Sequence, residues 1–142
     1  MSRYSTRDEE ETRRLGTRLA KKLSRPALVL LRGELGAGKT VLAKGLAQGF
    51  GVEDASVVHS PTFSLINLYP SPGGPVYHVD LYRLESQREQ YSTGLDEVLC
   101  EEQAAVIIEW AEKLSLAARP SLSIEIVSGE DETRLIQVEE CR

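Results

Sequence analysis

The sequence predicts an α/β fold with a mixed parallel/antiparallel central sheet flanked by helices. Three observations lead there. Two short, continuous apolar runs, "ALVLL" (27–31) and "AAVIIEW" (104–110), have the character of strands covered on both faces, as in a parallel sheet. Helical patterns surround the first of them. Two pairs of alternating segments bracket polar turns, as hairpins do.

Taken in order, Leu15, Leu19 and Leu23 recur every fourth residue, which predicts an amphipathic helix over about 6–24, opened by a Thr6-x-x-Glu9 capping box and closed by Pro26. The strand "ALVLL" follows. From Lys39 to about Phe50, Leu42, Leu46 and Phe50 share a face, and Gly49 or Gly51 stops the helix. "SLINLYP" (64–70) and "PVYHVDLYRL" (75–84) flank "SPGG" as a hairpin. "ESQREQY" and "GLDEVLCEE" are short helical candidates on either side of Gly94. "SLSIEIV" and "TRLIQVE" across "SGEDE" form a second hairpin. The parallel core thus gains antiparallel additions at an edge and at the C-terminus.

At 142 residues the chain suits one domain, 1–142. No apolar run has the length to cross a bilayer, and residues 1–25 are too charged for a secretory signal, so no membrane association and a cytoplasmic location are expected. Cys100 and Cys141 form no C-x-x-C pair and read as free thiols. The net charge of −5 is uneven: residues 1–25 hold eight Lys/Arg against four Asp/Glu, leaving nine against eighteen elsewhere. A DNA or RNA reader needs a basic domain, so tight nucleic-acid binding by this chain alone is disfavoured. The acids at Asp8 to Glu11 and the lysines at 21 and 22 suit the dipole of one helix.

The chemistry concentrates in "GELGAGKT". Gly33-x-x-x-x-Gly38-Lys39-Thr40 satisfies a phosphate-loop pattern that arises by chance in a chain this long on the order of once in a few hundred. It also stands where it must, between a strand and a helix. Residues without Cβ let backbone N–H groups turn inward around phosphate oxygens, and the helix N-terminus adds partial positive charge. Lys39 would reach the β- and γ-phosphates and the Thr40 hydroxyl a Mg²⁺ ion. The fold expected is therefore a P-loop NTPase-like three-layer one. Gly45, inside the helix, reads as close helix-to-sheet packing.

A triphosphate site needs a carboxylate on its metal side. Alternation puts Val76, His78 and Asp80 on one face of their strand, and both Asp80 and Glu109 fall near strand ends, where ligands bind in α/β sheets. Either suits Mg²⁺, directly or through water. His78 reads as a structural hydrogen-bonding residue. In "HSPT" (59–62), Thr62 has the position of a switch residue, which a plain proline turn explains almost as well from spacing alone.

Together, "GELGAGKT", "SPTF", "YHVDLYRL", "GLDEVL" and "IIEWAEKL", in that order, resemble the TsaE (YjeE-like) family of small bacterial P-loop ATPases required for threonylcarbamoyladenosine in tRNA. The resemblance implies ATP and Mg²⁺ as ligands and weak, partner-activated hydrolysis to ADP and phosphate. The implied partners are a TsaD-type threonylcarbamoyltransferase and a TsaB-type protein, with tRNA reached only indirectly. By position it gives the phosphate-loop role to Glu34, Leu35, Gly36, Ala37, Gly38, Lys39 and Thr40, continued by Val41. Thr40 and Glu109 take the metal, Asp80 is the second acid, Thr62 lies in the switch and Trp110 near the nucleotide or partner. Lys39, Asp80 and Glu109 are the implied catalytic set. Val41 departs from a hydroxyl residue common in relatives, and the stretch after "EWAEKL" is looser than the family's.

Rival readings have their own signatures. A small-molecule kinase on the same loop would carry an Arg-rich lid, yet beyond residue 88 only Arg119, Arg134 and Arg142 occur; a GTPase would carry N-K-x-D, which is absent. A non-catalytic nucleotide-binding scaffold would need neither Asp80 nor Glu109. No arginine is obviously aimed at the γ-phosphate, Arg83 being the internal candidate, so hydrolysis by the isolated chain is expected to be slow.

Overall fold

The computed structural model describes residues 1–34, 36–58, 65–83, 93–116 and 118–141. The chain builds one seven-stranded sheet from β1 (Ser2–Thr6), β2 (Ala27–Arg32), β3 (Ile66–Tyr69), β4 (Val76–Asp80), β5 (Ala105–Glu109), β6 (Leu122–Ser128) and β7 (Arg134–Glu140). Their order across the sheet is β1-β7-β6-β2-β5-β4-β3. β4, β5, β2 and β6 run parallel, while β3, β7 and β1 add antiparallel at the flanks. Both expected hairpins and both buried strands form. The candidate helix over "ESQREQY" lies outside the described residues.

Alternation along the central strands divides the core between two faces. Val29, Leu31, Ala105 and Ile107 join the buried cluster beneath α1 (Glu9–Lys21) and α2 (Lys39–Gly49). Leu28, Leu30, Val106 and Ile108 point the other way, toward α3 (Leu95–Leu99), Ala111 and the partly buried Leu114 and Leu116. Each such Leu or Ile taken out of water contributes about 1.5–3 kcal/mol, so the two clusters hold the layers on the sheet. Three layers result, the helix described on the second face being the shorter.

Three local expectations are corrected. β1 is a strand the alternation did not reveal: Ser2–Thr6 pairs residue by residue with β7. That pairing takes Thr6 out of the helix, and its hydroxyl bonds that of Thr12 at 2.6 Å. The cap is Asp8, whose carboxylate accepts the Glu11 N–H at 2.9 Å, so the helix spans 9–21 and not 6–24. Finally, Gly45 serves helix-to-helix packing. A Cβ there would stand 2.0 Å from the Arg13 carbonyl oxygen of α1, and Thr17 Oγ1 donates to the Gly45 carbonyl at 3.0 Å.

Candidate nucleotide site

The site lies at the carboxyl end of β2, where the chain leaves the sheet through Gly33 and re-enters regular structure at Lys39. Gly38, the residue before α2, has φ 101° and ψ 17°, a left-handed conformation that glycine adopts without a Cβ penalty. No side chain caps α2. Its first turn therefore presents backbone amides, with the positive end of the helix dipole, to whatever lies in front of the loop. In front of it is a cleft of about 310 Å³ whose walls include Lys39, Thr40, Asp80, Glu109, Trp110 and Arg134.

Lys39 is 5% exposed. Its ammonium donates to the carbonyls of Gly33 and of Glu34, the latter at 2.7 Å, and stands 4.2 Å from the centre of the Trp110 ring. Burial pushes its pKa down, against the attraction of Glu109 and Glu112; two loop carbonyls and the π face of Trp110, from the end of β5, hold the cation. Trp110, the residue after β5, is in the left-handed region, φ 58°, and its ring also packs against Tyr82 at 4.9 Å between centroids.

Asp80 and Glu109 are register partners at the ends of the neighbouring parallel strands β4 and β5. The strand alternation thus delivers two carboxylates side by side at the same edge of the cleft. Thr40 Oγ1 donates toward the Glu109 carboxylate, at 3.2 and 3.4 Å from its two oxygens. The other side of Glu109 meets His78, fully buried, with Nε2 at 2.5 Å from Oε2. Asp80 accepts the Tyr82 N–H at 2.9 Å, and burial raises its pKa above the ordinary aspartate value despite that bond.

Oxygen donors of this kind suit a hard divalent cation such as Mg²⁺. Among the described residues no group of three or more His, Cys, Asp or Glu gathers as a metal cage. A Mg²⁺ ion beside Thr40 and Glu109 would take waters and phosphate oxygens as its remaining ligands, as is usual for it at nucleotide sites.

Of the residues named from sequence, Gly36, Gly38, Lys39, Thr40, Val41, Asp80, Glu109 and Trp110 border this one cleft. Glu34 and Ala37 belong to the loop beside it, Ala37 N–H donating to the Glu34 carbonyl at 3.1 Å. Leu35 and Thr62 lie outside the described residues. Arg83 is exposed and is not among the cleft's lining residues. The residues that sequence reading missed come from remote elements: Glu9 and Thr12 of α1, Tyr82, and Glu132 and Arg134 at the β6–β7 turn. Only the strand order brings them here. No local signal marks them, apart from Tyr82's place two residues after Asp80.

A family model for the threonylcarbamoyl adenosine biosynthesis protein TsaE matches residues 6–136. The chain belongs to the TsaE family. A TsaE protein from Nostoc sp. (strain PCC 7120) is 35% identical over 97% of this chain and 85% of its own length. The TsaE protein of Bacillus subtilis (strain 168) is 36% identical over 94% and 82%. These relatives are named as tRNA threonylcarbamoyladenosine biosynthesis proteins. The crystal structure of Bacillus subtilis YdiB superposes with a TM-score of 0.73 at 29% identity, covering 99% of this chain and 86% of that one. This TsaE family member thus has the mixed-sheet α/β architecture expected of it and a P-loop at the position the sequence indicates. Among its described residues no helix is long and apolar enough to cross a membrane.

Proposed function

We propose that this chain binds ATP with Mg²⁺ and hydrolyses it slowly, in support of tRNA threonylcarbamoyladenosine synthesis by a TsaD-type transferase and a TsaB-type partner. One observation carries the reading: a phosphate loop whose Lys39 and Thr40 share a cleft with two adjacent strand-end carboxylates, Glu109 being in contact with the Thr40 hydroxyl. A scaffold that only held nucleotide would need the loop but not the paired acids.

In this reading the α2 amides and Lys39 bind the polyphosphate, exchanging the carbonyl contacts of Gly33 and Glu34 for phosphate oxygens. Thr40 and Glu109 would hold Mg²⁺, which would supply positive charge to offset the negative charge building on the phosphates. His78 fixes the Glu109 carboxylate from behind. Asp80, with a pKa raised by burial, stands where it would orient a water or hold the metal's outer shell. Trp110 and Tyr82 wall the cleft on that side. Transfer of the threonylcarbamoyl group belongs to the partners, and tRNA is reached through them. Cytoplasmic location follows from that role.

Calorimetry and a phosphate-release assay test this. Lys39→Ala is expected to lose tight ATP binding, because the phosphates lose their main cation. Glu109→Ala is expected to retain ATP binding but lose Mg²⁺-dependent hydrolysis. Wild-type turnover should rise when TsaB- and TsaD-type proteins and tRNA are added. ATP affinity untouched by Lys39→Ala would overturn the loop reading, and rapid turnover indifferent to partners would overturn the partner-completed one.

A further inference from the structure

We propose that Arg134 is a second cation of the nucleotide site, contacting the phosphates that ADP and ATP have in common and so setting affinity for both. This rests on the nucleotide reading above and extends it to a residue outside the phosphate loop.

The topology is the first argument. β6 runs parallel to β2, and β7 returns antiparallel, so the first residue of β7 stands at the same end of the sheet as the phosphate loop. That residue is Arg134, paired with Ser128 on β6 and with Thr6 on β1. Backbone pairing on both sides fixes its Cα. A Cβ built on Gly38 would lie 3.3 Å from Arg134 Nε and 3.7 Å from its Cδ, so the guanidinium lies directly beside the residue that opens α2.

Charge is the second. The guanidinium's recorded bond is Nη1 to the carbonyl of the adjacent Thr133, at 3.0 Å. Among the described residues Arg134 makes no ion pair, although Glu9 and Glu132 border the same cleft. A planar donor fork with most of its N–H groups uncommitted, facing a loop of anion-binding shape, matches the chemistry of phosphate recognition.

The strand order decides which phosphates. Asp80 and Glu109 lie on β4 and β5, to one side of β2, whereas Arg134 lies on β7, two strands away on the opposite side. Thr40 and Glu109, which would hold a Mg²⁺ ion that neutralises the terminal phosphates, are on the β5 side, so the γ-phosphate would lie there. The opposite side receives the α- and β-phosphates and the nucleoside. Arg134 is therefore an affinity residue and not a γ-phosphate finger.

The test compares ATP and ADP binding by calorimetry for the wild type, Arg134→Gln, Arg134→Lys and Lys39→Ala, with melting temperatures taken without nucleotide. Arg134→Gln should weaken ATP and ADP alike, by about tenfold to a hundredfold, the range of one charge-assisted phosphate contact. Arg134→Lys should recover part of that loss, since it keeps the charge but not the fork. The nucleotide-free melting temperature should not move. Unchanged affinities in Arg134→Gln, a loss confined to ATP, or a loss matched by a lowered melting temperature and not relieved by lysine would each overturn the assignment. If Arg134→Gln does not fold, Arg134→Lys decides: affinity equal to the wild type for both nucleotides counts against a fork contact. Lys39→Ala keeps the two readings separate. Weak binding there with normal binding in Arg134→Gln removes Arg134 alone, whereas normal binding in Lys39→Ala removes the nucleotide reading itself.

Discussion

Asp80 and Lys39 illustrate how a site can be costly to the protein that carries it. Each is an ionisable side chain whose charged form burial disfavours: the Asp80 pKa is pushed up and the Lys39 pKa down. For Asp80 the folded protein holds the proton more tightly than the unfolded chain does. Stability is therefore lost as pH rises from the ordinary aspartate value of 3.8 through the folded value. Asp80→Asn keeps an oxygen that can accept the Tyr82 N–H and removes the ionisation. It is expected to raise the urea midpoint at neutral pH, without nucleotide or Mg²⁺, and to have a vanishing effect below about pH 4. A variant less stable than the wild type at neutral pH would mean that Asp80's charge is compensated in the folded protein.

At the scale of elements, the phosphate loop depends on how tightly α1 and α2 cross. The two helices meet backbone to backbone at Gly45, where an alanine methyl would be driven into the Arg13 carbonyl, and at Gly16, whose Cβ would meet the Leu42 oxygen at 2.7 Å. Helix propensity by itself makes Gly→Ala stabilising by about 1 kcal/mol. Overpacking here has the opposite sign and the larger size. Gly45→Ala is expected to destabilise by about 1–3 kcal/mol, read by chemical denaturation, and to weaken nucleotide binding because α2 carries Lys39 and Thr40. A stabilised variant would show that the helices separate at little cost. The same crossing explains the error about Gly45. A glycine in a helical pattern signals a close approach, but periodicity does not say whether sheet or helix approaches.

For the whole molecule, the sheet has a working end and a structural end. The cleft gathers at the carboxyl ends of β2, β4 and β5. At the other end Arg25 ties its own segment to three others, donating to the carbonyls of Gln103 at 2.8 Å and Phe50 at 2.8 Å and, in the β3–β4 turn, to the Pro75 carbonyl at 3.2 Å and Ser71 Oγ at 2.9 Å. Arg25→Met is expected to cost about 2–4 kcal/mol in urea unfolding, as several carbonyls lose a charged donor. ATP affinity at a temperature where the variant is folded should be unchanged. A fall in affinity would show that the two ends are coupled through the sheet.

Sequence by itself determined the pieces whose physics is local. The covered strands announce themselves as uninterrupted apolar runs, the loop by glycines and a lysine between strand and helix, and the acids by their place at strand ends. Tertiary structure alone decided what meets across the sheet. Ser2–Thr6 becomes a strand only because β7 offers it an edge, which also moves the helix cap to Asp8. Arg134 reaches the phosphate loop only because β6 docks beside β2, and His78 comes to bear on Glu109 only because β4 and β5 are neighbours. Spacing along a chain records bonds between near residues, whereas strand order is set by the summed burial of whole faces, and no short stretch of sequence carries that sum.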